Sequence, residues 1–380
     1  MTNLKKHIAI VSVINDLVTD QRVHKACMVL TEKGYDVILV GRKKRDSLPL
    51  NERPYRTRRM KLIFEKGVMF YAEFQMRLFF FLLFRKKHLL YSNDLDTLWP
   101  NYANHKLSGA KIIYDSHEIF CEVPELVHTP LKKRIWERLE KRIVPKLKYC
   151  ITVNNSIAKW FEDKYKVKFH VVRNIGNPSQ VTSIKSREEL GLPKDKKIVL
   201  IQGAGINIDR GAEETLEAMQ YIENALLLII GGGDVIETLK VNAVWKNLKE
   251  KVMFKSKMPA DELYHYTCNA DLGITIDKNN NINYRFSLPN KVFDFINAGV
   301  PILASALPEI KNVIDTYKIG GFISSHDPKH IAGKIDEMLH DPEYPVWKQN
   351  TLKAKQENNW QLEKKVLEEV IDAINSEISE

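Results

Sequence analysis

Short runs of apolar, mostly β-branched residues alternate with helical patterns in both halves of this chain. The runs at 8–13 and 35–40 flank a helical pattern over 20–33, and the runs at 197–203 and 225–230 flank another. Continuous apolar strands separated by helices are typical of parallel sheets that helices cover on both faces. The alternation therefore predicts an α/β fold of doubly wound parallel sheets.

The alternation stops once and then starts again, which indicates two domains. Strands are predicted on both sides of this break, at 88–91, 111–114, 149–153 and 170–172, and then at 252–254, 272–276 and 300–304. The break at 173–179 contains Gly, Pro, Asn and Ser residues that interrupt both periodicities. A length of 380 residues also favours two domains. We predict domains over 1–177 and 178–355, followed by a C-terminal helix over 356–380.

The composition excludes several classes of protein. With 44% hydrophobic and 28% charged residues, the chain is neither a disordered tail nor a collagen-like repeat. Its longest apolar run, from Leu78 to Phe84, is far shorter than the roughly 20 residues of a membrane-spanning helix. The N-terminus does not resemble a signal peptide, and the four cysteines lack the spacing of a zinc or disulfide framework. We therefore expect a cytoplasmic protein with reduced cysteines.

The positive charge is concentrated in the first half of the chain. Residues 1–180 contain 34 Lys and Arg against 18 Asp and Glu, whereas residues 181–380 contain 24 against 30. The basic clusters accompany an aromatic segment at 74–84, and such a surface can lie on an anionic membrane leaflet. A solvated basic face over a buried helix explains the pattern equally well. No zinc-finger spacing or RNA-binding segment accompanies the charge, so no nucleic-acid partner is predicted.

Two glycine-rich turns follow strands of the second domain and precede helices. Arg210 comes shortly after the first turn, Gly203-Ala204-Gly205, and the second turn contains Gly232. Backbone N–H groups in such turns can hold a diphosphate, with Arg as a bidentate donor. Ordinary strand-to-helix turns would contain the same glycines. Ligands of open α/β sheets bind at the carboxyl ends of the strands, so we expect the function in a cleft at these ends.

One helical segment late in the chain carries a second group of candidate residues. Ser287 can cap a helix, Pro289 can occupy its first turn, and Gly299 can end it before the next strand. Lys291 and Asp294 then share one face near the start of the helix. Lys suits a phosphate and Asp suits sugar hydroxyls, so the pair indicates a nucleotide site. A local ion pair between the two side chains is the alternative.

These motifs, in this order, resemble the retaining family 4 glycosyltransferases, which have the GT-B fold of two Rossmann-like domains. Asp294 matches the second acid of the E-x7-E segment of that family, and Gly299-Val300-Pro301 matches the run that follows it. The first acid would fall at Phe286, so the segment resembles the S-x-P-x-K-x-x-[ED] variant instead. This departure leaves the usual contact to the donor sugar unassigned.

The resemblance implies a nucleotide-sugar site in the second domain. Gly203 and Arg210 match the first-strand glycine and the basic phosphate-binding position of the family. The resemblance also implies that the C-terminal helix crosses back to the first domain. The implied donor-binding residues are Gly203, Arg210, Gly232, Ser287, Asn290, Lys291 and Asp294.

In the first domain, the pentapeptide at 114–118 leaves a predicted strand. It resembles the loop in which many family members place a His near the reacting sugar. His117 is then expected to donate a hydrogen bond to a sugar hydroxyl or to the developing charge. Glu118 would orient His117 or contact the acceptor. A single His at a strand end is more often structural, but the match of the whole pentapeptide favours function.

Two further segments of the first domain carry candidate residues. Asn15, Asp16 and Arg22 lie in or beside the loop that covers the cleft near the acceptor in this family, although Arg22 could instead serve the first helix. Asp94-Leu95-Asp96 imitates the D-x-D motif of metal-dependent transferases. We discount a metal site there, because the motif lies in the domain expected to bind acceptor.

The sequence as a whole predicts a cytoplasmic glycosyltransferase, peripheral to the inner face of the membrane, that acts with retention. The donor is a nucleotide-sugar, the acceptor is a hydroxyl of a glycan or lipid-linked glycan, and surface polysaccharide synthesis is the expected role. The diphosphate charge would be held by Arg210 and Lys291, so neither a metal nor another cofactor is predicted. The alternatives are a GT-B nucleotide-sugar epimerase and a non-catalytic two-domain binder of sugars or nucleotides.

Overall fold

The computed structural model describes residues 6–18, 20–45, 47–127, 129–176 and 181–379, and it divides into two compact units. The first unit lies within Met1–Asn174 and Glu363–Glu380, and the second lies within Ile175–Leu362. The domain boundary predicted between 177 and 178 falls outside the described residues. Each unit has its own parallel sheet and its own core.

The first unit is an α/β layer structure whose sheet, within the described residues, has the strand order β3-β2-β1-β4-β5-β6-β7 with every pair parallel. Its strands are β1 (Ile8–Asp16), β2 (Asp36–Lys43), β3 (Arg56–Lys61), β4 (Leu89–Asn93), β5 (Lys111–Ser116), β6 (Tyr149–Thr152) and β7 (His170–Val171). Its helices up to the break are α1 (Gln21–Glu32), α2 (Gly67–Leu83), α3 (Leu95–Ser108), α4 (Pro124–Val127), α5 (Pro130–Ile143) and α6 (Asn155–Tyr165).

The second unit repeats this architecture with the sheet order β10-β9-β8-β11-β12-β13, again parallel throughout the described residues. Its strands are β8 (Lys197–Gly203), β9 (Ala225–Gly231), β10 (Val252–Lys255), β11 (Leu272–Thr275), β12 (Ile302–Ser305) and β13 (Gly320–Ile323). The remaining helices are α7 (Ala212–Ala218), α8 (Ile236–Trp245), α9 (Ala260–Cys268), α10 (Ile282–Arg285), α11 (Asn290–Ala298), α12 (Pro308–Tyr317), α13 (Pro328–His340), α14 (Tyr344–Glu357) and α15 (Trp360–Ser379), and α15 belongs to the first unit from Glu363 onward.

The central strands are mostly apolar because both faces of each sheet are covered. In β8, Val199 and Ile201 belong to one buried cluster, and Ile198 and Leu200 belong to the cluster on the opposite face. Successive side chains of a strand point to opposite faces, so a strand between two cores needs apolar residues at every position. This confirms the predicted fold class.

The strand order reverses once in each sheet, between β1 and β4 in the first and between β8 and β11 in the second. Ligands of open α/β sheets bind outside the carboxyl ends of the strands at such a switch point. The loops that follow these four strands are therefore where each unit can build a site.

Two further sequence predictions are tested by the fold. None of the four cysteines forms a disulfide: Cys27, Cys121 and Cys150 are buried, and Cys268 is half-buried. Among the described residues, no helix combines the length and the apolar character that crossing a bilayer requires.

Candidate functional site

His117 follows β5 at the carboxyl edge of the first sheet, and Asp94, which follows β4, holds it in place. The Asp94 carboxylate accepts a hydrogen bond from the His117 backbone N–H at 2.8 Å, and its other oxygen lies 3.1 Å from His117 Nδ1. Asp94 has a φ of +58° and a ψ of 169°, a positive-φ conformation that costs a non-glycine residue about 1–3 kcal/mol. This strain aims the carboxylate across the strand ends at the His117 ring.

A second carboxylate, Asp115, lies on the other side of the His117 ring and is almost fully buried. Arg22 binds it with two parallel hydrogen bonds, at 2.7 and 3.1 Å, and Tyr91 donates a third from its hydroxyl at 2.8 Å. His117 Nε2 lies 3.6 Å from the same carboxylate. Arg22 also donates to the backbone carbonyl of Val172 at 2.7 Å, so the cluster joins α1, β4 and β5 to the end of the sheet.

The two carboxylates determine the protonation state of His117. Burial by itself lowers the pKa of a His, but the negative charges of Asp94 and Asp115 outweigh it and hold the pKa of His117 well above its usual value. Burial would raise the pKa of Asp115, but Arg22 and His117 hold it below its usual value. The buried Nε2 of His117 has no hydrogen-bond partner among the described residues. The Nε2–H of the imidazolium thus faces the Asp115 carboxylate at 3.6 Å, a distance too long for a good hydrogen bond.

The D-x-D pair of the first unit is divided between two environments. Asp94 holds His117, whereas Asp96 is buried at the start of α3, where burial and then the charge of Asp94 raise its pKa well above the usual value. Over the described ranges, no group of three or more His, Cys, Asp or Glu side chains is arranged to hold a metal ion. Asp94 therefore orients His117, and the two roles considered for Glu118, orienting His117 or contacting the acceptor, stay predictions.

The other predicted residues of the first unit lie in three different environments. Arg22 lies in the first turn of α1 and is buried against Asp115, which agrees with the alternative that it serves the first helix. Asp16 ends β1 and pairs with Arg59 at 2.9 Å. Asn15 is exposed and donates to Asp20 at 3.2 Å. Asp16 is thus occupied with structural contacts, while Asn15 remains accessible.

In the second unit, the two glycine turns predicted from the sequence pack against each other. The Gly232 N–H donates to the carbonyl of Gly203 at 3.1 Å, and a Cβ at Gly231 would lie 1.8 Å from that carbonyl oxygen. A Cβ at Gly232 would lie 2.6 Å from Cε of Lys257, which is exposed. Gly231 is therefore required by the close approach of two backbones, and Lys257 adds a cation beside the second turn that the sequence analysis missed.

Arg210 and Lys291 converge on a carboxylate that the sequence analysis also missed. Asp277 follows β11 and is fully buried; one of its oxygens accepts a hydrogen bond from Arg210 at 2.6 Å, and the other lies 3.7 Å from Lys291 Nζ. Gly211 makes this meeting feasible, because a Cβ there would lie 2.3 Å from Ile276. The loop after β8 is thereby pressed against the end of β11.

The charges of this cluster do not balance. Two cations, Arg210 and Lys291, share the single carboxylate of Asp277. Burial lowers the pKa of Lys291, Asp277 raises it, Arg210 lowers it again, and the result lies below the usual value. The Arg210 guanidinium also lies over the ring of Tyr284, at 4.5 Å. The excess positive charge at the switch point of the second sheet is suited to an anionic ligand.

Helix α11 ends where the sequence predicts, but it begins differently. Gly299 terminates α11 in the left-handed conformation, as predicted. Pro289, not Ser287, occupies the N-cap position, and the Ser287 hydroxyl instead donates to the carbonyl of Tyr284 at 2.9 Å, so the predicted capping role of Ser287 is wrong. The proline carries no hydroxyl or carboxylate, so the helix begins without a side-chain cap.

The remaining predicted donor residues lie on α11. Lys291 pairs with Asp277 rather than with Asp294, and Asp294 accepts a hydrogen bond from Gln202 at 3.2 Å. Gln202 in turn accepts from the hydroxyl of Thr267 at 2.8 Å. Asn290 is exposed at the first position of the helix. Gln202, at the end of β8, thus joins Asp294 to the strand edge that carries the glycine turns.

Comparison with known proteins agrees with this architecture. Residues 21–179 match the family model described as Glycosyltransferase Family 4, and residues 182–354 match the model described as Glycosyl transferases group 1. Chitobiosyldiphosphodolichol beta-mannosyltransferase of Candida albicans is 28% identical over 61% of this chain and 55% of its own length. The chain spans about half the length of the curated relatives that it matches.

Solved structures with this fold cover nearly the whole chain. Sucrose-phosphate synthase from Thermosynechococcus elongatus superposes with a TM-score of 0.81 at 16% identity, over 98% of this chain and all of that one. HepE of Anabaena, solved in complex with UDP and glucose, superposes with a TM-score of 0.71 at 13% identity, over 97% of this chain and all of that one. In the present protein, both units have the sheet topology of the GT-B fold, and each unit matches a glycosyltransferase family model. The chain therefore belongs to the family 4-like GT-B glycosyltransferases.

Proposed function

We propose that this protein transfers a sugar from a nucleotide-sugar donor to a hydroxyl group of a glycan or lipid-linked glycan. The observation that carries the proposal is the pair of cations, Arg210 and Lys291, that share one buried carboxylate at the switch point of the second sheet. A nucleoside diphosphate would supply the negative charge that this cluster lacks. HepE of Anabaena, which has the same fold and was solved in complex with UDP and glucose, supports this ligand class.

In this reaction the bond between the anomeric carbon and the diphosphate breaks, a bond to the acceptor oxygen forms, and the acceptor proton passes to the departing diphosphate. The negative charge that develops on the diphosphate is the main charge for the protein to stabilise. Arg210, as a planar donor, and Lys291, as a second cation, would stabilise it electrostatically. Arg210, on the loop before α7, and Lys291, in the first turn of α11, are already in contact with Asp277, so little reorganisation is needed.

His117 supplies the second chemical group of the proposal. The His117 imidazolium, held by Asp94 and Asp115, would donate a hydrogen bond to a hydroxyl of the donor sugar or to the developing charge. Glu118, which follows it, would contact the acceptor. We infer no covalent intermediate, and retention of the anomeric configuration rests on the resemblance to family 4.

The cellular setting is part of the same proposal. The excess of Lys and Arg over residues 1–180, together with the apolar surface of α2, supports a lipid-linked acceptor at the inner face of the membrane. Assembly of a surface polysaccharide is a role in which such an acceptor is used.

A donor screen tests the function. The purified chain is mixed with UDP-, GDP-, ADP- and dTDP-sugars and lipid-linked acceptors, and release of the nucleoside diphosphate is measured together with the glycosylated product. We expect release with one donor, and Arg210→Ala should reduce kcat/KM about 100- to 1000-fold because a charge-stabilising donor is lost. Arg58→Ala, an exposed residue of the edge strand β3, is the matched control and should leave kcat/KM unchanged.

The same screen separates the alternatives. An epimerase would return a sugar of inverted configuration and transfer nothing to the acceptor. A binding protein would hold a nucleotide tightly without turnover, and Arg210→Ala would weaken the binding alone. Either outcome would overturn the proposed transfer.

A further inference from the structure

An apolar groove lies between α2 and α5 on the surface of the first unit. Its cavity volume is about 210 Å³, and Tyr71 and Trp136, whose ring centroids are 5.3 Å apart, are among the residues that line it. Ala72 on α2 and Ile135 on α5 line it, and Lys132 supplies a cation to the lining. None of these residues belongs to the proposed catalytic or donor-binding groups.

Next to the groove, one face of α2 remains uncovered although it is apolar. Phe70, Phe74, Leu78 and Leu82 are buried in the first unit, as expected for the inner face of a helix. The opposite face carries a line of exposed side chains at helical spacing, namely Met69, Met76, Phe80, Leu83 and Phe84, of which Phe84 is 81% exposed. A helix that is apolar on both faces normally has both faces covered.

The outer face of α5 combines apolar and basic residues. Leu131 is 77% exposed and Ile135 is 60% exposed, one turn apart on the same side of the helix. The exposed cations of this helix are Lys132, Arg134, Arg138, Lys141 and Arg142. In the part of the chain that the structure describes, these five cations form no ion pair with an acidic side chain. Their charge is therefore available to an anionic partner.

We propose that the groove between α2 and α5 is a membrane-docking site that takes an acyl chain of an anionic phospholipid. The exposed apolar residues of α2 and α5 would enter the boundary between headgroups and acyl chains, and the α5 cations would contact lipid phosphates. Charge complementarity selects this occupant, because apolar side chains and unpaired cations on one helix match the two parts of an anionic lipid. The inference depends on one part of the proposed function, namely that the protein works at the inner face of the membrane.

Vesicle binding by the full chain tests the site without requiring turnover. We expect the protein to sediment with vesicles that contain phosphatidylglycerol and to remain in solution with vesicles of phosphatidylcholine alone. Each near-surface Lys or Arg contributes about fivefold to such binding, so Arg134→Gln with Arg138→Gln should weaken the partition coefficient more than tenfold. Lys249→Gln with Lys353→Gln, two exposed lysines of the second unit, is the matched control and should bind like the parent chain.

The apolar part of the site requires its own variants. Leu131→Ser with Ile135→Ser should reduce binding to anionic vesicles about tenfold or more, whereas Trp245→Ser, an 83% exposed residue of α8, should not. Ala72→Phe, which fills the groove from α2, should lower binding while leaving the cations in place. Both variants alter exposed or groove-lining positions, and unchanged circular dichroism verifies that they are folded.

Three outcomes would overturn the site: no binding to anionic vesicles, equal binding to both kinds of vesicle, or full binding by the Leu131, Ile135 and Ala72 variants. A stable dimer that dissociates in the Leu131→Ser, Ile135→Ser variant, without vesicle binding, would assign the groove to a second copy of the chain instead. Release of nucleoside diphosphate is measured separately in the same preparations. If the parent chain binds anionic vesicles but releases no nucleoside diphosphate from any donor, the proposed function is refuted and the docking site is still supported.

Discussion

The two switch points of this molecule differ in how they balance buried charge. In the first unit, the carboxylates of Asp94 and Asp115 face Arg22 and the His117 ring, and the charges cancel once His117 is protonated. In the second unit, Arg210 and Lys291 share only Asp277, and one positive charge remains. The first arrangement holds a proton, and the second attracts an anion. The same fold therefore provides two different chemical capacities at equivalent strand ends.

The largest effect should come from removing the carboxylate that balances the first unit. Asp115→Ala leaves Arg22 buried without its partner, and breaking a buried pair in this way costs about 3–5 kcal/mol. Denaturation by urea, followed by circular dichroism, measures the loss in the free energy of unfolding. Asp36→Ala, which removes a solvent-exposed pair with Arg56, should cost at most about 1 kcal/mol. Equal costs for the two variants would show that the buried cluster is not structurally required.

The next effect concerns the proton that the first unit holds. The pKa of His117 is raised above its unfolded value, so its stabilisation is fully present below about pH 6.5 and is lost as the pH rises through the folded pKa. His117→Gln should therefore cost about 1.5–3 kcal/mol near pH 6, the usual contribution of hydrogen bonds to charged groups. The difference from the parent chain should narrow towards alkaline pH. A difference that does not vary with pH would indicate a neutral His117.

A smaller effect should follow when the acid of the second unit is removed. Asp277 raises the pKa of Lys291, while burial and Arg210 lower it, so Asp277→Asn should lower this pKa further. Affinity for a nucleoside diphosphate should then match or exceed that of the parent chain in mild acid and fall towards alkaline pH, by about tenfold for each pH unit beyond the pKa. Titration calorimetry across pH provides the measurement.

The matched control for this prediction is Asp271→Asn, which disrupts another partly buried carboxylate of the second unit, paired with Arg187. It should leave the pH dependence of nucleotide affinity unchanged. If Asp277→Asn and the parent chain show parallel pH profiles, Asp277 does not set the charge of Lys291.

The smallest effect is expected from removal of divalent metal. If the diphosphate is neutralised by Arg210 and Lys291, and Asp94 is occupied with His117, EDTA should change kcat by less than about twofold. The donor assay with and without EDTA measures this, and restoration by added Mg²⁺ or Mn²⁺ checks for adventitious chelation. A rate that collapses in EDTA and returns with Mg²⁺ would contradict the electrostatic role proposed for the two cations.

Much of the fold could be predicted from the sequence because buried strands have a strong pattern. The strands at the centre of both sheets were predicted, but β3 and β13 were not. The sequence of β3 is a basic cluster, because β3 is an edge strand with mostly exposed side chains. The sequence of β13 begins with two glycines. Edge strands are covered on fewer sides, so their sequences carry less of the apolar signal.

The candidate site could be predicted only in part. His117, Arg210 and Lys291 were found from motifs, but their carboxylate partners Asp94 and Asp277 were not assigned these roles. A signal was present, because each acid follows within three residues a predicted strand that borders a switch point. The order of the strands in a sheet cannot be predicted from the local sequence pattern. The position of these acids after their strands therefore did not identify them as partners of His117, Arg210 and Lys291.

The sequence by itself determined the α/β class, the restart of the pattern in a second unit, and the glycine that ends α11, because each depends on local periodicity or backbone conformation. Only the tertiary structure decided which charges meet. Lys291 pairs with Asp277 rather than with Asp294 three residues away, and Arg210 reaches Asp277 across 67 positions of sequence. Such pairs arise because parallel strands bring distant loops to one edge of a sheet, and the burial there makes each unbalanced charge costly enough to select its partner.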